Sequence, residues 1–211
     1  MRILTLALVG CLAATAHAQG VVGGIALDSA SRAPLSCLDV ALEDTVGRVV
    51  ARTRSAHDGA FAVPVPDSGV YRFRFDIWYH PPTYGPREVL GPATDRIQQY
   101  LVPLRMPSVG SGPPADSAVD APPWPQSTDD GPRFPPALRQ RGIEGGVLMQ
   151  FVVDSAGAVD RTTVRVVQET ASQFTASARE FLTHARFRPA RQDGHPVCAL
   201  LVQPFLFRIA Y

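Results

Sequence analysis

The sequence has no lysine: all 20 basic side chains among its 211 residues are arginine, set against 19 acidic ones. Schiff-base chemistry, pyridoxal-phosphate attachment and a P-loop phosphate lysine are thereby excluded, because each needs a primary amine that a guanidinium cannot supply. Other signatures are missing as well. There is no Gly-x-Ser-x-Gly, Cys-x-x-Cys or Gly-x-Gly-x-x-Gly, and His17, His57, His80, His184 and His195 form neither His-Glu-x-x-His nor His-x-x-Glu. His195 and Cys198 are three apart, but Pro196 and a strand start place them poorly around one metal. Asp154 to Asp160 has the look of a calcium loop without the glutamate at its twelfth position. The expectation is a non-enzymatic protein with no catalytic residue, no metal site and no cofactor.

Cysteine is scarce too, with Cys11, Cys37 and Cys198 alone. The first lies in a segment that reads as an export signal. Arg2 gives a short charged start, residues 3–16 are apolar, and Ala16-His17-Ala18 before Gln19 has the small-x-small form of a cleavage site. As a helix, residues 3–18 would reach about 24 Å at ~1.5 Å per residue, short of a bilayer core of ~30 Å. A signal peptide over 1–18 and a location in the periplasm or cell envelope are therefore expected. Two other readings stay open: an uncleaved membrane anchor, and a lipoprotein whose Leu8-Val9-Gly10-Cys11 box leaves a lipidated Cys11. Cleavage at Ala18 leaves Cys37 and Cys198, which fall in different regions. In an oxidising compartment they either staple those regions together or remain isolated thiols.

Charge is balanced overall but not along the chain. Residues 19–105 carry nine of each sign, residues 106–132 four acids and no base, and residues 133–211 ten arginines against six acids. That basic excess is too small to argue for nucleic acid.

Residues 19–105 alternate with period two and turn every eight to twelve positions, the pattern of a β-sandwich. Leu38, Val40 and Leu42 should face inward, as should Val49, Ala51 and Thr53, then Phe61, Val63 and Val65, then Tyr71, Phe73, Phe75 and Ile77. Arg72, Arg74 and Asp76 should face outward. Asp58-Gly59 and Asp67-Ser68-Gly69 supply the turns. Between Trp78 and Pro86 runs an aromatic, proline-rich loop. Its Trp78, Tyr79, His80 and Tyr84 either present rings to a peptide or sugar or fold back over one end of the sandwich. Residues 106–131 are rich in proline and should form a semi-extended, mostly disordered tether, with Trp124 docked on a domain or contacting a partner.

Residues 132–211 read as a short helix from Pro135 to Gly142, a strand through Val147, Met149, Phe151 and Val153, and a hairpin at Asp154-Ser155-Ala156-Gly157. A return strand covers 159–167 and an amphipathic helix 172–186, striped by Phe174, Ala178, Phe181, Leu182 and Ala185. The last strand, 197–209, is apolar on both faces, as though covered on each.

Two resemblances follow. Gly20-Val21-Val22-Gly23-Gly24, Ala33-Pro34-Leu35, Asp58-Gly59-Ala60-Phe61 and Gly69-Val70-Tyr71 resemble the carboxypeptidase regulatory-like, transthyretin-like domains. That resemblance implies a seven-stranded Greek-key sandwich serving as an accessory. Arg133-Phe134-Pro135, Gly142-Ile143-Glu144-Gly145, Val153-Asp154-Ser155-Ala156-Gly157, Ala185-Arg186-Phe187-Arg188-Pro189-Ala190, Gly194-His195-Pro196-Val197 and Gln203-Pro204-Phe205-Leu206-Phe207 resemble the C-terminal domain of TonB-family proteins. This second resemblance implies a three-stranded antiparallel sheet with two helices. It also implies capture of the TonB box of an outer-membrane TonB-dependent receptor as an added strand.

Pro204 suits an edge strand, since it cannot donate to a ladder. The docking edge is accordingly expected at Cys198, Ala199, Leu200, Leu201, Val202 and Gln203, with Arg133 and Phe134 beside it. A structural edge that self-pairs in a homodimer or envelope assembly is the alternative. Two departures separate the chain from the family's energy transducers. His17 has Ala13, not serine, four residues before it, and the acidic tether lacks their Glu-Pro and Lys-Pro repeats. An inner-membrane proton-channel complex is a partner only if the N-terminus stays anchored.

Overall fold

The computed structural model describes residues 20–78, 80–94, 96–104, 121–126 and 131–209. The export-signal reading, Tyr79 and most of the tether lie outside these residues. The first unit has seven strands: β1 (Gly20–Asp28), β2 (Asp39–Glu43), β3 (Val49–Arg54), β4 (Ala60–Val65), β5 (Gly69–Asp76), β6 (Thr83–Leu90) and β7 (Arg96–Val102). They form a three-stranded sheet ordered β4-β1-β7 and a four-stranded sheet ordered β3-β2-β5-β6. β1 runs antiparallel to β4 and parallel to β7. Val40, Leu42, Val63, Phe73 and Phe75 meet in one core as their period-two spacing predicts, and Val22 and Val102 join them there. At its centre Phe61, Phe73, Phe75 and Tyr100 pack at centroid distances of 5.1 to 6.3 Å.

Three expectations for this unit change. The segment read as a loop up to Pro86 becomes strand β6 from Thr83. Pro86 is tolerated there because β6 is an edge and the register slips between Arg72 and Arg74, opposite Gly85-Pro86. On β3, another edge, Val50 reaches the core beside Ala51, because the register also slips between Leu42 and Glu43. Finally, the charged face of β2 and β5 is not in water: Glu43, Arg74 and Asp76 are all buried.

The second unit is built on β9 (Gly145–Val153), β10 (Val159–Glu169) and β14 (Ala199–Phe207), antiparallel in the order β10-β9-β14. Helices α1 (Pro136–Gln140) and α2 (Ser172–His184) accompany it. Proline near the start of α1 and Gly142 at φ 65° beyond its end bound that short helix. Phe174, Ala178 and Leu182 of α2 pack on Met149, Phe151, Leu201 and Phe205. The β9–β10 turn depends on Gly157, whose φ is 81° and whose added Cβ would lie 2.0 Å from the Phe187 carbonyl oxygen. Gly157→Ala is expected to cost more than about 1 kcal/mol in chemical denaturation, from the left-handed backbone and the clash together.

The two units are not beads on a tether. Leu148, Val152, Leu200 and Val202 point away from α2 and belong to the sandwich core, which explains why β14 is apolar on both faces. Cys37 and Cys198 are disulfide-bonded, with Cα atoms 5.8 Å apart across 161 residues of sequence. The tether is also partly bound. β8 (Trp124–Pro125) pairs with β11 (Phe187–Arg188), and Ala121 bridges to Arg191 beside the ribbon of β12 (Ala190–Gln192) and β13 (His195–Val197). Its docking is through backbone; the Trp124 side chain is 60% exposed.

Candidate functional site

β14 is an edge strand whose only partner among the described residues is β9. In an antiparallel ladder alternate residues direct N–H and C=O to opposite sides. The Leu200 N–H donates to the Cys37 carbonyl at 3.2 Å, so positions 200, 202, 204 and 206 address the outer side. Pro204 therefore sits where its missing N–H breaks no bond to β9.

The outer side has two halves. In the first, Leu200 and Val202 are buried under the sandwich, while Ala199 and Leu201 between and beside them are buried on the α2 side. Cys37 holds Leu200, and the buried His80 ring lies against the Val202 backbone. Cys198, expected among the open edge residues, is in the disulfide. In the second half Gln203 and Pro204 are partly exposed and Leu206 is 59% exposed. Beside it lies a groove of about 370 Å³ lined by Gly145, Gly146, Leu148, Gln168, Pro204 and Leu206. Glu144 closes its end by accepting from the Ile209 N–H at 2.6 Å.

Arg133 and Phe134 are brought beside β14 but on the helix side. Phe134 packs edge-on against Phe174 and Phe207 at 5.7 Å each, and those two rings stack at 4.4 Å. Arg133 is exposed, its carbonyl accepting from the Ser177 hydroxyl. Phe134 is thus an anchor for the entering chain.

The expected ligand loop is split. Trp78 is buried in the core of the C-terminal unit and His80 is buried nearby on Val202, whereas Tyr84 is exposed on β6 under the Arg72 guanidinium, 4.0 Å from its ring centre. Trp78 and His80 fold back as the sequence allowed, but onto the second unit. Burial pushes the His80 imidazolium down, partly opposed by its bond to Val202.

Sequence reasoning also missed an ion network on β2 and β5. Glu43 accepts from Arg72 (Nε 3.0 Å, Nη2 2.9 Å) and from Arg74 Nη1 at 2.7 Å, while Arg74 Nε donates to Asp76 at 3.0 Å. Arg54 binds Asp39 at 2.6 Å and reaches Gln192 of the second unit at 3.2 Å. Burial raises the Asp76 carboxyl to about 6 against the pull of Arg74, and raises Asp39 against Arg54. The folded state thus holds the Asp76 proton more tightly than the unfolded chain. That stabilisation is complete below the unfolded value of 3.8 and is lost as pH rises through about 6. From pH 7 to pH 5 this residue should add about 1 kcal/mol, an increment that Asp76→Asn removes in denaturant titrations at the two pH values.

Among the described residues no group of three or more His, Cys, Asp or Glu could hold a metal ion, and no helix is long and apolar enough to cross a membrane.

Residues 130–209 match the family described as Gram-negative bacterial TonB protein C-terminal. Among solved structures, the solution structure of the Pseudomonas aeruginosa TonB C-terminal domain is 27% identical, covering 45% of this chain and 98% of that one at a TM-score of 0.38. The Bacillus anthracis TIE protein is 9% identical, covering 91% of this chain and 31% of that one at a TM-score of 0.30. No curated protein matches the chain.

Proposed function

We propose that this is a TonB-like protein of the bacterial cell envelope that binds an extended segment of an outer-membrane receptor by strand addition to β14. The observation that carries the reading is an edge strand whose outer side from 203 to 207 has no strand partner among the described residues, within a domain that matches the TonB C-terminal family. In that family the domain serves transport without catalysis, in keeping with the absence of any catalytic pattern here. The seven-stranded unit is a transthyretin-like accessory in this reading. It is an exported protein, with residues 1–18 as its signal.

Strand addition at the open half would use the Pro204 carbonyl and both main-chain groups of Leu206, with partner side chains entering the 370 Å³ groove. Titration of the full chain with labelled TonB-box peptides should give saturable binding. Leu206→Pro deletes the outward N–H of that half without removing a β9 ladder bond, and should weaken the peptide about five- to tenfold. No saturable binding at millimolar peptide, with a dimer in sedimentation, would favour the self-associating edge instead.

A further inference from the structure

We infer that the disulfide-bonded sandwich is a latch on the β14 edge, keeping positions 199–202 closed while Cys37 and Cys198 are bonded and opening them when the pair is reduced. The inference rests on the strand-addition reading and concerns its regulation.

Four features meet at this half of the edge. The Cys37 carbonyl stands where the carbonyl of an incoming strand would stand, accepting the Leu200 N–H at 3.2 Å. The buried His80 ring lies against the Val202 backbone two residues on. The side chains of Leu200 and Val202 are enclosed in the sandwich core together with Leu148 and Val152. The only covalent tie among these groups is the Cys37–Cys198 bond, one residue before β14 begins. The sandwich thus acts as a built-in competitor for the edge, and the disulfide sets its effective concentration.

The latch is placed so that it can open. Both cysteines are partly exposed where they pack at the margin of the sandwich core. Cys37 is held at φ 55°, a left-handed conformation costing about 1 kcal/mol or more for a residue with a side chain, which release would relieve. Farther along, the interface turns polar around Ser36, His57, Gln150 and Thr163, which line a cleft of about 40 Å³.

The chemistry is thiol–disulfide exchange with a dithiol. One thiolate of the dithiol attacks a sulfur of the bond and expels the other cysteine as thiolate. The second thiol of the reagent then resolves the mixed disulfide. Two electrons and two protons pass to the protein, leaving two free cysteines and the reagent as a cyclic disulfide.

The test is amide hydrogen exchange on the full chain, oxidised and after dithiothreitol, with Cys37→Ser/Cys198→Ser as a reagent-free form. The expected result is exchange at Leu200 accelerated about tenfold or more on reduction, with Met149 and Phe151 in β9 still protected. Unchanged protection at Leu200 would overturn the inference. So would a general loss of protection that includes β9, since the bond would then only hold the fold. In parallel, a TonB-box peptide should bind the reduced chain more tightly than the oxidised one; equal saturable binding would also overturn it. If the peptide binds neither form, strand addition fails as the function, and the exchange data alone decide whether the latch exists.

Discussion

Replacing Arg74 with alanine should destabilise the protein by about 3–5 kcal/mol, because it removes a cation that bridges Glu43 and Asp76 and leaves buried carboxylates without it. The loss should depend on pH. Arg74 is the main influence holding the Asp76 carboxyl down against burial, so in the variant that group takes up a proton at still higher pH, removing one buried charge. The variant should therefore recover part of its stability in going from pH 8 to pH 5. Denaturant titrations at both pH values measure this, and a pH-independent loss would show that packing of the arginine stem, not its charge, is what matters.

Trp78→Ala should cost a comparable amount, about 3–5 kcal/mol, from the cavity it leaves. The damage should appear in the other unit. Trp78 follows the sandwich strand β5 closely, yet it is buried with Leu201, Phe205 and the α2 residues Phe174 and Leu182 in the core of the C-terminal unit. Exchange protection in β14 and α2 should fall further than in β1 or β4. A loss confined to the sandwich would contradict the shared packing.

How far the sequence disclosed this structure follows from what alternation reports. A period of two shows which face of a strand is apolar, and it placed Val40, Phe61, Phe73 and Met149 correctly. It does not show what covers the opposite face. Arg74 and Asp76 read as outward because charge ordinarily seeks water; their burial depends on Glu43, 31 residues before Arg74 in sequence, arriving on the neighbouring strand. The double-sided apolarity of β14 announced a second cover but not its identity. Cys37 and Cys198 were legible as a pair, yet whether they meet is a question of distance in space. Of the edge, Pro204 marked the strand as peripheral. The division into a closed and an open half was hidden, because it is made by Cys37 and His80 from another unit.

The place of β14 in both cores has a consequence for how the chain is made. Synthesis runs from the N-terminus, so the strand that completes the α2-facing core and also supplies Leu200 and Val202 to the sandwich emerges after every other described strand. Until it arrives, β9 lacks a neighbour on one side and apolar surface on two units lies open. A nascent or truncated chain lacking β14 is thus marked as incomplete in two places at once, a ready signal for chaperones and proteases.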